Sequence, residues 1–182
     1  LGGTDGEART LSGTSIDIKS GVAAGSHNLT LEADTLAVAG SSTADAGVGV
    51  TLRTKTTDRT IGLAGGAGDT SISQATLNAL GGASGCRSIT VGAGNGAIVA
   101  NALGLSTALI LNAGTADITL AGITGAGFDL SLNSIGTTLL GGTVTGVGAL
   151  TTNSGGTTTI SADITTTGTQ PYNDHVTIGG TG

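Results

Sequence analysis

The chain has 182 residues, of which 35 are Gly and 33 are Thr, with one Phe, one Tyr, one Pro, one Cys and no Trp or Met. The formal net charge is −6, and only six residues are Lys or Arg. This composition excludes a nucleic-acid interface, which needs a basic stripe to neutralise phosphates, a core built on aromatic rings and, because Gly keeps no three-residue period, a collagen helix. No run of about 18 apolar residues occurs, so no transmembrane helix is expected. Hydrophobic residues make up 37% and charged residues 10%, the reverse of a disordered chain. What remains is a series of short strands punctuated by Gly, Asn and Asp.

Along the chain, apolar–polar–apolar triplets recur, the period-2 signature of a strand with one buried face. Ile16-Asp17-Ile18 comes first, then Leu29-Thr30-Leu31, Leu36-Ala37-Val38, Val50-Thr51-Leu52 and Ile61-Gly62-Leu63. After them come Ile89-Thr90-Val91, Leu109-Ile110-Leu111, Ile118-Thr119-Leu120, Leu130-Ser131-Leu132 and Val176-Thr177-Ile178. Two series interleave. In one, Leu29, Val50, Ile72 and Ile89 step by 21, 22 and 17, and Leu109, Leu130 and Leu150 step by 21 and 20. The second series falls roughly halfway along each period. Between them, Gln74–Leu80 is the one stretch with helical spacing, a small insertion that caps a corner.

Strands this short cannot stand alone, but a coiling chain solves the problem by laying each against its equivalent one turn later, about 4.8 Å away. Parallel crossovers are overwhelmingly right-handed. The expected fold is therefore all-β, a right-handed parallel β-helix (β-solenoid) with about 20 residues per turn. Roughly nine turns should give a rod about 40–45 Å long. Residues 1–182 read as one solenoid segment, a fragment of a longer repetitive chain, with no internal domain boundary.

Asn112, Asn133, Asn153 and Asn173 step by 21, 20 and 20. In a solenoid they should stack at one turn, where amides can form a structural Asn ladder. Gly pairs at 65–66, 81–82, 141–142, 155–156 and 179–180 mark corners.

Sites of chemistry are sparse. Gly65-Gly66-Ala67-Gly68-Asp69 resembles the calcium-binding repeat of β-rolls, but it is a single copy with the Asp displaced, so a corner turn is the expectation. The twelve carboxylates are Asp5, Glu7, Asp17, Glu32, Asp34, Asp45, Asp58, Asp69, Asp117, Asp129, Asp163 and Asp174, and they read as solvated turn residues. A polysaccharide-active site would pair two of them beside long loops and aromatic platforms, which this chain lacks. His27 and His175 lie far apart with no ligand at zinc spacing. Cys86 has no neighbouring His to activate it. Gly92–Gly96 is followed by another strand and not by a helix, so it is no dinucleotide loop. Thr143/Thr145, Thr157/Thr159 and Thr165/Thr167 step by 14 and 8, which does not fit an ice-binding rank of one pair per turn. No cofactor, no metal and no enzymatic activity are expected.

Two stretches carry a family resemblance. Leu52-Arg53-Thr54-Lys55-Thr56-Thr57-Asp58-Arg59-Thr60-Ile61-Gly62-Leu63-Ala64-Gly65-Gly66-Ala67-Gly68, with Ser71-Ile72-Ser73 and Leu77 through Leu80, is the first. Ile164-Thr165-Thr166-Thr167-Gly168-Thr169-Gln170-Pro171-Tyr172-Asn173-Asp174-His175-Val176-Thr177-Ile178-Gly179 is the second and more specific one. Both are similar to shaft repeats of filamentous-haemagglutinin-like surface adhesins, secreted by two-partner or autotransporter routes. The match covers about a quarter of the chain. Pro171 departs from it, and the secretion domain with its Asn-Pro signature is absent. The resemblance implies a secreted, cell-surface shaft whose partners are adjoining repeats or further copies, end to end. The alternative is an adhesive face for host or neighbouring-cell glycans or proteins; a polysaccharide-active β-helix enzyme ranks third.

Overall fold

A computed structural model describes residues 8–19, 27–38, 48–82, 86–92, 94 and 96–179. The chain winds through successive coils. The first holds β1 (Arg9–Ser12) and β2 (Ser15–Ile18), and the second β3 (Leu29–Glu32) and β4 (Thr35–Val38). The third holds β5 (Val48–Arg53), β6 (Ile61–Leu63), β7 (Thr70–Ile72) and the helix α1 (Gln74–Gly81). From there each coil has three strands. The fourth contributes β8 (Cys86–Val91), β9 (Ile98–Ala100) and β10 (Leu103–Gly104), and the fifth β11 (Ala108–Gly114), β12 (Ile118–Leu120) and β13 (Ile123–Thr124). The sixth has β14 (Leu130–Ser134), β15 (Thr137–Leu140) and β16 (Val144–Val147), and the seventh β17 (Leu150–Thr152), β18 (Thr157–Ile160) and β19 (Ile164–Thr166). β20 (His175–Ile178) opens an eighth.

The strands stack into three parallel walls. The first runs β1-β3-β5-β8-β11-β14-β17. The second runs β7-β6-β9-β12-β15-β18-β20, with the β2-β4 pair below it and β4 against β7. The third, β10-β13-β16-β19, exists only above the helix. The fold is thus the expected parallel β-solenoid with about 20 residues per turn: Ile118 lies opposite Thr138, and Leu130 opposite Leu150.

Alternation decides which side chains enter the tube. In the first wall Leu31, Leu52, Val91, Leu111 and Leu132 form one inward column, none more than 1% exposed. In the second, Leu63, Ala100, Leu120 and Leu140 do the same. Leu103, Ile123 and Val144 fill the third. Each fully buried aliphatic side chain contributes about 1.5–3 kcal/mol relative to exposure. Towards the upper end the filling turns polar. Thr138, Thr152 and Thr158 take inward places, and the Asp174 carboxylate accepts bonds from the hydroxyls of Thr152 (2.9 Å) and Thr158 (2.9 and 3.0 Å).

The turn count needs correction: about seven coils stand where nine were expected. Val50 pairs directly with Ile89, so the third coil spans 39 residues, from 50 to 89, in place of about 20. Ile72, read from its spacing as a first-wall residue, instead belongs to β7 in the second wall. The cause is a local one. β6 and β7 are parallel neighbours with Ile61 opposite Thr70, only nine positions on; parallel neighbours ordinarily need a dozen or more residues between them. Three glycines permit it. A Cβ on Gly62 would collide with the Gly66 carbonyl, one on Gly66 with the Val99 carbonyl, and one on Gly68 with the Gly62 amide. The second wall thereby gains one strand that the first lacks.

α1 then crosses where a third-wall strand would run. Ser73 caps its start, its Oγ accepting from the Thr76 amide at 3.1 Å, and Leu77 and Leu80 are buried beneath it. The Gln74 side chain acts as a surrogate peptide. Its Oε1 accepts from the Gly104 amide (3.0 Å) and its Nε2 donates to the Gly104 carbonyl (2.8 Å). The lower edge of the third wall is closed by those two bonds.

Candidate functional site

The largest concentration of charge lies at the corner between the first and second walls of the third coil. Arg53, Lys55 and Arg59, half of all the Lys and Arg in the chain, fall within seven residues. They line a cleft of about 300 Å³ together with Glu32, Asp58, Asn112, Gly92, Gly94 and Gly96. Higher coils fill the same corner with the buried Ala113 and Ser134. Here glycines leave it open; Gly96 sits so close to the Arg59 carbonyl that a Cβ would collide with it.

Most of the charged side chains in and beside this cleft are engaged by neighbouring groups. Glu32 pairs with Arg53 at 2.6 Å and accepts from the Ser12 hydroxyl at 2.7 Å; Lys55 donates to that same hydroxyl at 3.1 Å. Asp34 accepts from the Lys55 amide (3.0 Å), the Thr56 amide (2.8 Å) and the Thr56 hydroxyl (2.6 Å), with Arg59 at 3.8 Å. Asp69 accepts from the amide (3.2 Å) and hydroxyl (2.9 Å) of Thr60. The Ser12 hydroxyl and then Arg53 hold the Glu32 carboxyl below its usual range; the Thr56 hydroxyl and amide do this for Asp34, and the Thr60 hydroxyl and amide for Asp69. Carboxylates so held are ionised acceptors at neutral pH. A general acid needs the opposite shift, so this trio offers no proton donor.

The Asp69 of the Gly65–Asp69 turn fastens the start of β6. Among the described residues no group of three or more His, Cys, Asp or Glu is placed to hold a metal ion. Asp5, Glu7 and Asp45 lie outside the described residues. Asp17 pairs with Lys19 at 2.6 Å. His27 sits at a corner, and His175 is the exposed first residue of β20. Cys86 is partly buried, which pushes its thiol up. Gly92–Gly96 leads into the strand β9. Thr157/Thr159 belong to the second wall and Thr143/Thr145 to the third, so these pairs form no single rank.

Of the four asparagines, two meet. Asn112 and Asn133 are opposite one another in register, and Asn133 Nδ2 donates to Asn112 Oδ1 at 2.6 Å. Asn153 instead accepts from the Ser134 amide at 2.7 Å, and Asn173 donates to the Thr152 carbonyl at 2.6 Å. The arrangement is one amide rung, with two side-chain-to-backbone bonds above it.

A more regular device escaped sequence reasoning. Corner Asp and Asn side chains accept from a backbone amide one coil up: Asn28 from Gly49 (2.9 Å), Asp34 from Lys55 (3.0 Å), Asp117 from Thr137 (2.7 Å) and Asp129 from Ala149 (2.7 Å). The offsets are 21, 21, 20 and 20 residues. The signal was present in the recurrence of Asp or Asn just before a strand, one period below a corner.

Two surfaces remain. The outward row of the first wall aligns Thr10, Thr30, Thr51, Thr90, Ile110, Ser131 and Thr151, six hydroxyls out of seven. β20 has one strand neighbour among the described residues, and its Val176 and Ile178 are 36% and 71% exposed. No described helix is long and apolar enough to cross a membrane. Comparison of the chain with models of protein families, with curated proteins and with solved structures gives no match.

Proposed function

We propose that this chain is a length of structural shaft from an extracellular fibre or filamentous adhesin of the kind its two family-like stretches resemble. The observation that carries the reading is the parallel stacking of strands through seven coils around columns that are aliphatic for most of their length, with chemistry-bearing side chains turned to fastening one coil to the next. Such a body acts as a spacer: each coil templates its neighbour, and stability adds up nearly coil by coil. Adjoining coils at its ends are the partners this role requires.

A second reading has one observation in its favour. The flat hydroxyl row of the first wall is a surface on which a glycan or another protein could be read by hydrogen bonds, which would make the shaft adhesive along its side.

Immunogold electron microscopy of producing cells, with an antibody raised against the purified chain, tests the proposal. Gold strung along surface fibres is the expected result. Label confined to the cell interior would overturn it.

A further inference from the structure

We propose that the junction between the second and third coils is a joint. The β3–β5 ladder hinges it along the first wall, a clasp of charged side chains closes it along the second, and neutralising the clasp lets the two lower coils swing open as one body. Such a joint would let a shaft bend, but it does not require the chain to be a shaft and so goes beyond the role proposed above.

The main chain singles out this junction. Among the described residues one ladder crosses it, β3 on β5. Two ladders cross the junction below it, and two the junction above it. Three cross each junction from the fourth coil to the seventh. β4 packs against β7 with no ladder between them, so the second wall is broken here. In a solenoid each coil is held by its neighbours alone, and the junction with the fewest ladders is the first to open.

What closes the gap is a set of side chains. Glu32 and Arg53 meet across the junction at 2.6 Å. Asp34 accepts from the Lys55 and Thr56 amides and the Thr56 hydroxyl of the third coil, with Arg59 at 3.8 Å. Thr70, in β7, donates to the Asp34 carbonyl at 3.0 Å, and Arg59 Nε donates to the Thr70 hydroxyl at 3.3 Å. Lys55 reaches past the second coil to Ser12 in the first, whose hydroxyl also binds Glu32. With the β1–β3 and β2–β4 ladders, this makes the two lower coils one body. The interior changes at the same level. The column that carries Ile118, Ile98 and Ile61 ends on Thr70, which is 3% exposed, so parting there uncovers less apolar surface than a fourth Ile would.

The charges facing one another around the clasp are Arg53, Lys55 and Arg59 against Glu32, Asp34, Asp58 and Asp69. Glu32 and Asp34 are held below the usual carboxylate range, first by the Ser12 and Thr56 hydroxyls. Both are therefore ionised at neutral pH, where the clasp is closed.

Thiol labelling of the 182-residue chain at neutral pH tests the joint. Cys86→Ala removes the native thiol. Ile72→Cys then puts a probe in β7 where β4 packs on it, at a side chain 2% exposed. Leu31→Cys puts one in the first wall between Leu11 and Leu52, at a side chain 1% exposed. Leu120→Cys, in the fully buried part of the fifth coil, is the control. Adding Glu32→Gln and Asp34→Asn together should speed the reaction of Ile72→Cys with iodoacetamide about tenfold, the order set by two half-exposed ion pairs, and leave positions 31 and 120 unchanged within about twofold. A rise shared by positions 72 and 31, with 120 still protected, overturns the proposal, because the lower coils then unravel and do not swing. No rise at 72 overturns it as well, because the side chains then hold nothing shut. If the double substitution unfolds the chain, seen as fast labelling at 120, Asp34→Asn alone is read by the same scheme.

Discussion

Replacing Leu111 with Ala probes the column that holds the coils together. Leu111 is fully buried, with Val91 below and Leu132 above in register, both also fully buried. Three carbons are removed, about 2.4 kcal/mol at ~0.8 kcal/mol each. Collapse around the void is resisted from both sides, because the backbones of β8 and β14 are fixed at the hydrogen-bonded spacing of the wall. The cavity contribution therefore adds to the transfer loss, and the total should be about 3–5 kcal/mol. The partner measurement is Ile178→Ala, at a site 71% exposed, where about 0.5 kcal/mol is expected. Equilibrium unfolding in urea, followed by far-ultraviolet circular dichroism, gives both values. A loss below about 1 kcal/mol at Leu111, or equal losses at the two positions, would refute the claim that stacked columns carry the stability. Separate transitions for the coils below and above β11 would be a further expected consequence in Leu111→Ala, since a solenoid weakened at one interface can lose cooperativity there.

Other outcomes follow from the corner and edge devices. Glu32, Asp34 and Asp69 have folded-state pKa values below their ordinary ones, so their stabilisation is complete above the unfolded value of about 4 and is lost as pH falls through the folded values. Thermal stability should stay level from about pH 8 to 5 and fall below about pH 4; a midpoint that rises on acidification would contradict this. Gly66→Ala should cost about 2 kcal/mol or more, because its Cβ meets the Val99 carbonyl, whereas Gly94→Ala, with nothing within 4 Å, should be nearly neutral. Gln74→Ala should cost about 1–2 kcal/mol through two lost bonds to Gly104 and should raise light scattering in concentrated solution, because it uncovers a strand edge. Cys86 should react with iodoacetamide more slowly in the native protein than in urea, because burial raises its thiol pKa; equal rates would place the thiol in solvent.

The strands and their period were legible because alternation and stacking impose the same spelling on each coil. Leu109, Leu130 and Leu150 need no structure to be seen as equivalents. Ile72 was misplaced because a spacing of 22 from Val50 fits the period, while nothing in a single apolar residue says which wall it joins. The deciding signal was three glycines, at 62, 66 and 68, whose requirement for backbone contact becomes visible only once β6 and β7 are side by side. The asparagines show the same limit. Asn112 and Asn133 lie within paired strands, but β17 ends at Thr152, so Asn153 lies past the ladder and turns to the Ser134 amide. Charge positions were visible, but the cleft at Arg53 and Lys55 was not, because it arises from what Gly92, Gly94 and Gly96 fail to fill. The Asp–amide clasps showed only their acceptor half, as Asp or Asn just before a strand; their donors are backbone groups, which leave no mark in a list of side chains.

The hydrogen bonds of all three walls point along the tube, and this sets how the molecule yields under load. A pull applied at the two ends of the chain does not shear many bonds at once. It peels the outermost coil of the shaft, a few bonds at a time. Each coil released frees about twenty residues, roughly 66 Å of extended backbone, in exchange for about 4.8 Å of height. The tether would lengthen in steps of about 60 Å at low force, taking up slack while the coils beneath stay wound.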